Sequence, residues 1–191
     1  MLNTIDQRWS SYYDQGKDFG LATSKAITQF LNYTDHSMPK ICLDIGCGTG
    51  QLTRELYHRG YTCTGIDASV TVIGIASSLT VREELGYLHF NIETDNPGQL
   101  PNQPYSLITC KLVYAFIKDK PKFLNKVAHL LAPNGTFVII TPVIEDVPPE
   151  KQSIAVSYDQ TLAHLHVVFK NIQSYREQSM TYFICRNPAQ R

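Results

Sequence analysis

The sequence predicts an α/β domain built on a parallel sheet covered on both faces, and three observations carry that expectation. Short apolar runs bounded by turn residues alternate with helical patterns from about residue 40 onward. The first of these runs breaks into a glycine-rich turn, Asp44-Ile45-Gly46-Cys47-Gly48-Thr49-Gly50. The last two runs lie too close together for a parallel crossover, which takes about a dozen residues or more, so they must pair antiparallel.

Residues 1–35 carry Trp9, Tyr12, Tyr13 and Phe19, followed by a helical stretch at 21–33. Positions 9, 12 and 13 share one helical face, and three large rings in a polar stretch need something to cover. The segment is expected to fold as a lid over the site; packing on the domain core is the alternative. Buried parallel strands are expected at 40–45, 61–66, 86–90, 105–110 and 136–141, because near-continuous apolar runs suit strands covered on both faces. Helices are expected between them at 50–59, 69–80 and 119–132. The last ends in Leu130-Leu131-Ala132-Pro133-Asn134-Gly135, where proline and glycine stop a helix and return the chain to a strand. Residues 142–156, with Pro148-Pro149, form the one irregular insertion. A helix over 158–168 precedes runs around 171–177 and 180–186, which form the terminal antiparallel pair. The core thus runs over 40–186 within a single domain of 1–191.

Composition narrows the function. Seventeen basic and seventeen acidic residues give no net charge, whereas a nucleic-acid binder tracks phosphates with a basic excess. The local cluster of Lys111, Lys118, Lys120, Lys122 and Lys126 reads as a solvated loop and helix start. No apolar segment approaches the ~20 residues of a membrane span, and the first residues lack a secretory pattern. The five cysteines form no C-x-x-C pair, so reduced, buried thiols in a cytoplasmic protein are expected. His164 and His166 stand two apart on a helix and point to different faces, so no metal site is expected from them.

The glycine spacing carries the chemistry. A dinucleotide-binding turn needs G-x-G-x-x-G, and the position of its third glycine is Gln51 here. Asp-x-Gly-x-Gly-x-Gly, from Asp44 to Gly50, instead resembles the first motif of the class I S-adenosylmethionine-dependent methyltransferases. The resemblance covers residues 40–186 in order. It implies a doubly wound, Rossmann-like, seven-stranded mixed sheet in the order 3-2-1-4-5-7-6 with the last strand antiparallel.

It also implies a cofactor set. Gly46, Cys47, Gly48 and Gly50 would let backbone approach S-adenosylmethionine, and Asp44 would orient its ammonium group; capping of the glycine loop is the alternative for Asp44. Asp67, with Ala68 beside it, resembles the family's ribose-binding acid. Its alternative is to cap the helix opening near Ser69, although Ser69 can cap by itself. Asn91 stands where the family often has Asp, and with the Ile92 N–H it would meet the adenine; a turn-forming role is the alternative for Asn91. The Cys110 carbonyl would meet the ammonium, with Lys111 and Leu112 near the methyl group. Ser106 replaces an aspartate that is mainly structural in the family. No Asn/Asp-Pro-Pro-Tyr and no Pro-Cys follow, which disfavours methylation of adenine or glutamine amino groups and of cytosine C5.

The expected function is methyl transfer to an N, O, S or C nucleophile of a small molecule. No general base is fixed by the residues; Tyr13, Lys111 and Tyr114 are the candidates. The alternatives are a non-catalytic subunit or sensor that binds the cofactor or its product, and a dinucleotide oxidoreductase, against which Gln51 counts.

Overall fold

The computed structural model describes residues 20, 22–80 and 85–188. Trp9, Tyr12, Tyr13 and Phe19, and with them the expected lid, lie outside the described residues.

Seven strands form one sheet in the order β3-β2-β1-β4-β5-β7-β6, as expected. They are β1 (Ile41–Ile45), β2 (Thr62–Asp67), β3 (Leu85–His89), β4 (Tyr105–Lys111), β5 (Leu131–Thr141), β6 (Phe169–Glu177) and β7 (Met180–Pro188). The pairs from β3 through β5 are parallel, and β7 runs antiparallel to both β5 and β6. The described helices are α1 (Ser24–Leu31), α2 (Gln51–Tyr57), α3 (Val70–Ser78), α4 (Lys120–Leu130) and α5 (Tyr158–Val168).

Alternation along the central strands sorts side chains between two cores, because successive residues of a strand point to opposite faces. Leu43, Ile45, Ile108, Cys110, Phe137 and Ile139 pack with Phe123 and Leu124 of α4 and Leu165 of α5. Cys42, Leu107, Val138 and Ile140 pack with Ile27 and Phe30 of α1 and Leu52 and Leu56 of α2. The strands are therefore apolar on both sides, which explains their near-continuous hydrophobic runs.

Two elements depart from the sequence reading. The run at 86–90 is not a buried strand: β3 lies at the sheet edge, and of its five residues only Leu85 is buried. The Pro133-Asn134-Gly135 signal does stop α4 from continuing, but β5 begins before it. Leu131 already pairs with Tyr105, the next pair is Leu107 with Thr136, and the residues between bulge out. The insertion at 142–156 is tied down by a bridge between Val143 and Val156 and carries two short 3₁₀ turns, Ile144–Asp146 and Pro149–Ile154.

Candidate functional site

In an open α/β sheet the binding crevice lies beyond the carboxyl ends of the strands, where neighbouring connections diverge. Here β1 lies between β2 and β4, and a cavity of about 480 Å³ opens at that point. Its lining comes from the ends of β1, β2 and β4, the segment after β3, and Ile154 of the insertion. The size suits a small organic ligand, whose pockets span about 300–1,000 Å³.

The glycine turn forms one wall. Gly46, Gly48 and Gly50 have φ of +67°, +56° and +82°, the left-handed region that glycine enters without steric cost. The Gly46 and Cys47 N–H groups donate to the Ile66 carbonyl at 2.8 and 3.0 Å, which anchors the turn to β2. The Gly48 N–H donates to Asp67 Oδ2 at 3.1 Å, and the Ser69 N–H donates to Oδ1 at 3.0 Å. Burial pushes the Asp67 carboxyl above its ordinary value, opposed by those N–H groups and that of Ala68. Helix capping falls to Ser69, whose Oγ accepts from the Val72 N–H at 3.3 Å.

Gly46, Cys47, Gly48, Asp67 and Ala68 all line the cavity, but Gly50 does not. A Cβ at Gly50 would sit 2.2 Å from the Tyr87 hydroxyl, and that hydroxyl donates to the Gly50 carbonyl at 3.3 Å. The third glycine is thus required by packing between the turn and β3. A Cβ at Gly46 would likewise fall 2.1 Å from Val113 Cγ2, so the first glycine lets the segment after β4 close over the turn.

Asp44 lines the cavity yet is only 1% exposed. Its two oxygens accept from Thr53 Oγ1 of α2 and Thr109 Oγ1 of β4, each at 2.7 Å. Burial raises its pKa, against the two hydroxyls and the nearby Lys111 charge. Among the described residues Asp44 accepts from these two hydroxyls, which tie β1, α2 and β4 together beneath the glycine turn.

Asn91 and Ile92 line the cavity, and the turn role of Asn91 is realised: Oδ1 accepts from the Glu93 N–H at 3.0 Å. Two neighbours escaped the sequence reading. Glu93 lines the cavity and its Oε1 accepts from the Lys118 N–H at 2.9 Å. Lys126 donates to the Ile92 and Glu93 carbonyls at 2.7 and 2.9 Å, fixing the loop after β3. Lys126 is therefore not a solvated lysine. The available signal was its position, three residues after Phe123 and four before Leu130, both buried.

Of the three candidate bases, Lys111 lines the cavity. Tyr13 lies outside the described residues. Tyr114 is a correction: it is fully buried, its ring 6.0 Å from that of Phe123, and it does not line the cavity. Burial pushes its phenol well above the ordinary range, the wrong direction for a base. Cys110 is also buried in the core and outside the lining, with its thiol pushed up by burial. Leu112, by contrast, lines the cavity with φ of +58°, a conformation that costs a non-glycine residue about 1–3 kcal/mol.

The chain is 25% identical over 136 residues to a ubiquinone biosynthesis O-methyltransferase of Hydrogenovibrio crunogenus, covering 70% of this chain and 56% of that one. It is 34% identical over 104 residues to the enzyme of the same name from Aeromonas salmonicida, covering 53% and 43%. The chain thus spans about half the length of these curated relatives. Among solved structures it superposes on the plantazolicin methyltransferase BamL, bound to a plantazolicin analogue and S-adenosylhomocysteine, with a TM-score of 0.74 and 20% identity over 95% of this chain and 90% of that one. It superposes on human N-acetylserotonin methyltransferase bound to S-adenosylmethionine with a TM-score of 0.66 and 18% identity, covering 85% and 54%. These two likenesses show a shared fold. A family model for the methyltransferase domain matches residues 20–182, from the first described residue into β7. On that match the chain belongs to the methyltransferase domain family.

Proposed function

We propose that this protein transfers a methyl group from S-adenosylmethionine to an N, O, S or C nucleophile of a small molecule. The observation that carries the reading is the left-handed glycine turn closed on Asp67 beside a cavity of about 480 Å³. The residues fit that cofactor. Asp67 stands on the cavity wall, held by the Gly48 and Ser69 N–H groups, as an acid that would accept from the ribose hydroxyls. Gly48 keeps backbone open to an adenosyl group, and Asn91 with Ile92 borders the place of the adenine. Asp44, buried beneath the turn, borders the cavity where the ammonium group would lie.

When bound, the cofactor supplies a methyl group on a sulfonium, already activated for in-line displacement. The chain supplies alignment, which is worth roughly 7–11 kcal/mol for well-oriented reactants. Phe90, Phe116, Ile117 and Ile154 line the cavity and would cover a bound cofactor with apolar surface. Lys111, at the end of β4, is the one of the three candidate bases that lines the cavity among the described residues. The relatives named as ubiquinone biosynthesis enzymes support a small-molecule acceptor. The five free cysteines, all buried, support a reducing, cytoplasmic setting. Among the described residues no helix is long and apolar enough to cross a membrane.

Calorimetric titration with S-adenosylhomocysteine and with NAD, followed by labelled-methyl transfer to a metabolite panel, tests the proposal. Binding of the first ligand alone and label in a small product are expected. Preferential binding of NAD would overturn it.

A further inference from the structure

The loop after β3, residues 91–95, spends most of its main-chain donors on itself. The Asn91 N–H donates to Asp95 Oδ2 at 2.9 Å, and the Glu93 N–H donates to Asn91 Oδ1 at 3.0 Å. The Thr94 and Asp95 N–H groups both donate to the Asn91 carbonyl, at 3.1 and 2.9 Å. Ile92 is the exception. Its N–H has no acceptor among the described residues, although Ile92 is only 6% exposed and lines the main cavity. Main-chain N–H groups at buried residues rarely stay unpaired, so this one calls for an acceptor supplied from the cavity.

The main chain around Ile92 is also tied to other elements. Before the loop, the Phe90 N–H donates to the Asp67 carbonyl at 2.9 Å, which fixes the spacing from the acid proposed to hold the ribose. Beyond Ile92 the tie is Lys126 of α4. Its Nζ donates to the Ile92 and Glu93 carbonyls at 2.7 and 2.9 Å, with a longer bond of 3.4 Å to the Asp95 carbonyl. An ammonium group has three donors, and all of them are spent on this loop. Phe123, Val127 and Leu130 of the same helix are buried, so the ammonium projects from an element fixed by the core. The two peptide units that meet at Ile92 are thus both held. Thr94 and Asp95 hold the first through the Asn91 carbonyl, and Lys126 holds the second through the Ile92 carbonyl.

We infer that Lys126 is a positioning residue for the cofactor's base: by clamping the carbonyls of Ile92 and Glu93 it keeps the Ile92 N–H aimed at ring nitrogen N1 of the adenine. The inference rests on the methyl-transfer reading for what the cavity holds. Adenine N1 carries a lone pair and no hydrogen, so it accepts from a fixed N–H donor. A base that lacks this acceptor would leave the Ile92 donor unpaired in a covered site, and that loss is the source of selectivity. Lys126 touches neither ligand nor reacting atoms; it acts through the loop.

The test titrates the full-length chain with S-adenosylhomocysteine and with its 1-deaza analogue, in which a C–H replaces N1 and the amino group is kept. The wild-type chain should bind the first about tenfold more tightly, the difference one hydrogen bond makes. Lys126→Met keeps the length of the side chain and removes its donors. It should weaken S-adenosylhomocysteine by about fivefold and the analogue by less than about twofold, so that the gap closes. Lys126→Arg, which still donates, should restore part of the gap. The Ile92 amide proton resonance should move downfield with S-adenosylhomocysteine and not with the analogue. Equal affinity of the wild-type chain for the two ligands overturns the assignment and leaves the methyl-transfer reading standing. A gap that persists in Lys126→Met, whatever its melting temperature, reduces Lys126 to a tie between the loop and α4. Should that variant fail to fold, Lys126→Gln carries the same comparison. Failure of the wild-type chain to bind either ligand overturns the methyl-transfer reading itself, and this inference with it.

Discussion

Asp67 holds the glycine turn through the Gly48 N–H and is also the proposed acceptor for the ribose; both bonds favour the ionised carboxylate, whereas burial favours the neutral form. Burial raises its pKa above the ordinary 3.8. Between that value and the raised one the folded chain binds more protons than the unfolded chain. This group's contribution to stability is therefore present at low pH and declines as pH rises through the window. Ribose binding needs the ionised form, so cofactor affinity should rise with pH through the same window. Titrating S-adenosylhomocysteine into the wild-type chain from pH 7.5 downward should show affinity falling as Asp67 protonates. Asp67→Asn should bind about 1.5–3 kcal/mol more weakly at neutral pH and lose most of that slope. A slope left in the variant reports Asp44, whose pKa is also raised by burial. That Gly48 and Asp67 border one cavity was legible in the sequence, from the glycine spacing and the acid that ends the second run. The place of Tyr114 was not, since a 3₁₀ turn over Tyr114–Phe116 decides whether its ring meets the cavity or the core.

At the scale of elements, the site depends on contacts between segments distant in sequence. Asp44 joins β1 to α2 through Thr53 and to β4 through Thr109, its register partner. Thr109→Val keeps the shape and removes one donor from a buried carboxylate. It should cost about 1–3 kcal/mol of unfolding free energy, read as a lower denaturation midpoint with an unchanged slope. The turn and β3 meet at Gly50 and Tyr87. Gly50→Ala should destabilise by at least about 1–3 kcal/mol, the cost of a left-handed non-glycine residue, before the steric overlap with Tyr87 is added. Adding Tyr87→Ala should recover only the overlap, because φ at position 50 stays at +82°. Full recovery in the double variant would show that the backbone at Gly50 is free to relax. The sequence marked Gly50 as special without showing why, since the reason lies 37 residues away in β3. It also mistook β3 for a buried strand, because apolar residues alone do not distinguish an edge from the centre. The bulge at Pro133–Gly135 was hidden for a related reason: turn residues signal a break in regular structure but not whether the strand resumes on the same partner.

The whole molecule brings these elements to one place. The strand order puts β1 between β2 and β4, and the turn after β1 opens where their carboxyl ends meet. Two cores fill the faces of the sheet, so the crevice at its end is bounded by elements already fixed by packing. The alternation of runs and helices made this architecture legible, and the short final spacing made the antiparallel β6–β7 pair legible too. The complete strand order came only through the family resemblance, because periodicity does not say which strands are neighbours. A ligand seated in this crevice contacts β1, β2, β4 and the loop after β3 together, and that constellation is lost on unfolding. Such a ligand stabilises the fold by mass action, by about 2.7 kcal/mol at a free concentration one hundred times its Kd. For a chain of this size each kcal/mol moves the melting temperature by roughly 2–4 °C. S-adenosylhomocysteine at that excess should therefore raise the melting temperature by roughly 5–10 °C, with the Asp67→Asn shift smaller at the same ligand concentration. NAD should leave it unmoved, because Gln51 occupies the position that a pyrophosphate-binding turn gives to its third glycine. Equal shifts from both ligands would mean that the crevice reads only their shared adenosine, and the glycine turn would then lose its assigned role in choosing the cofactor.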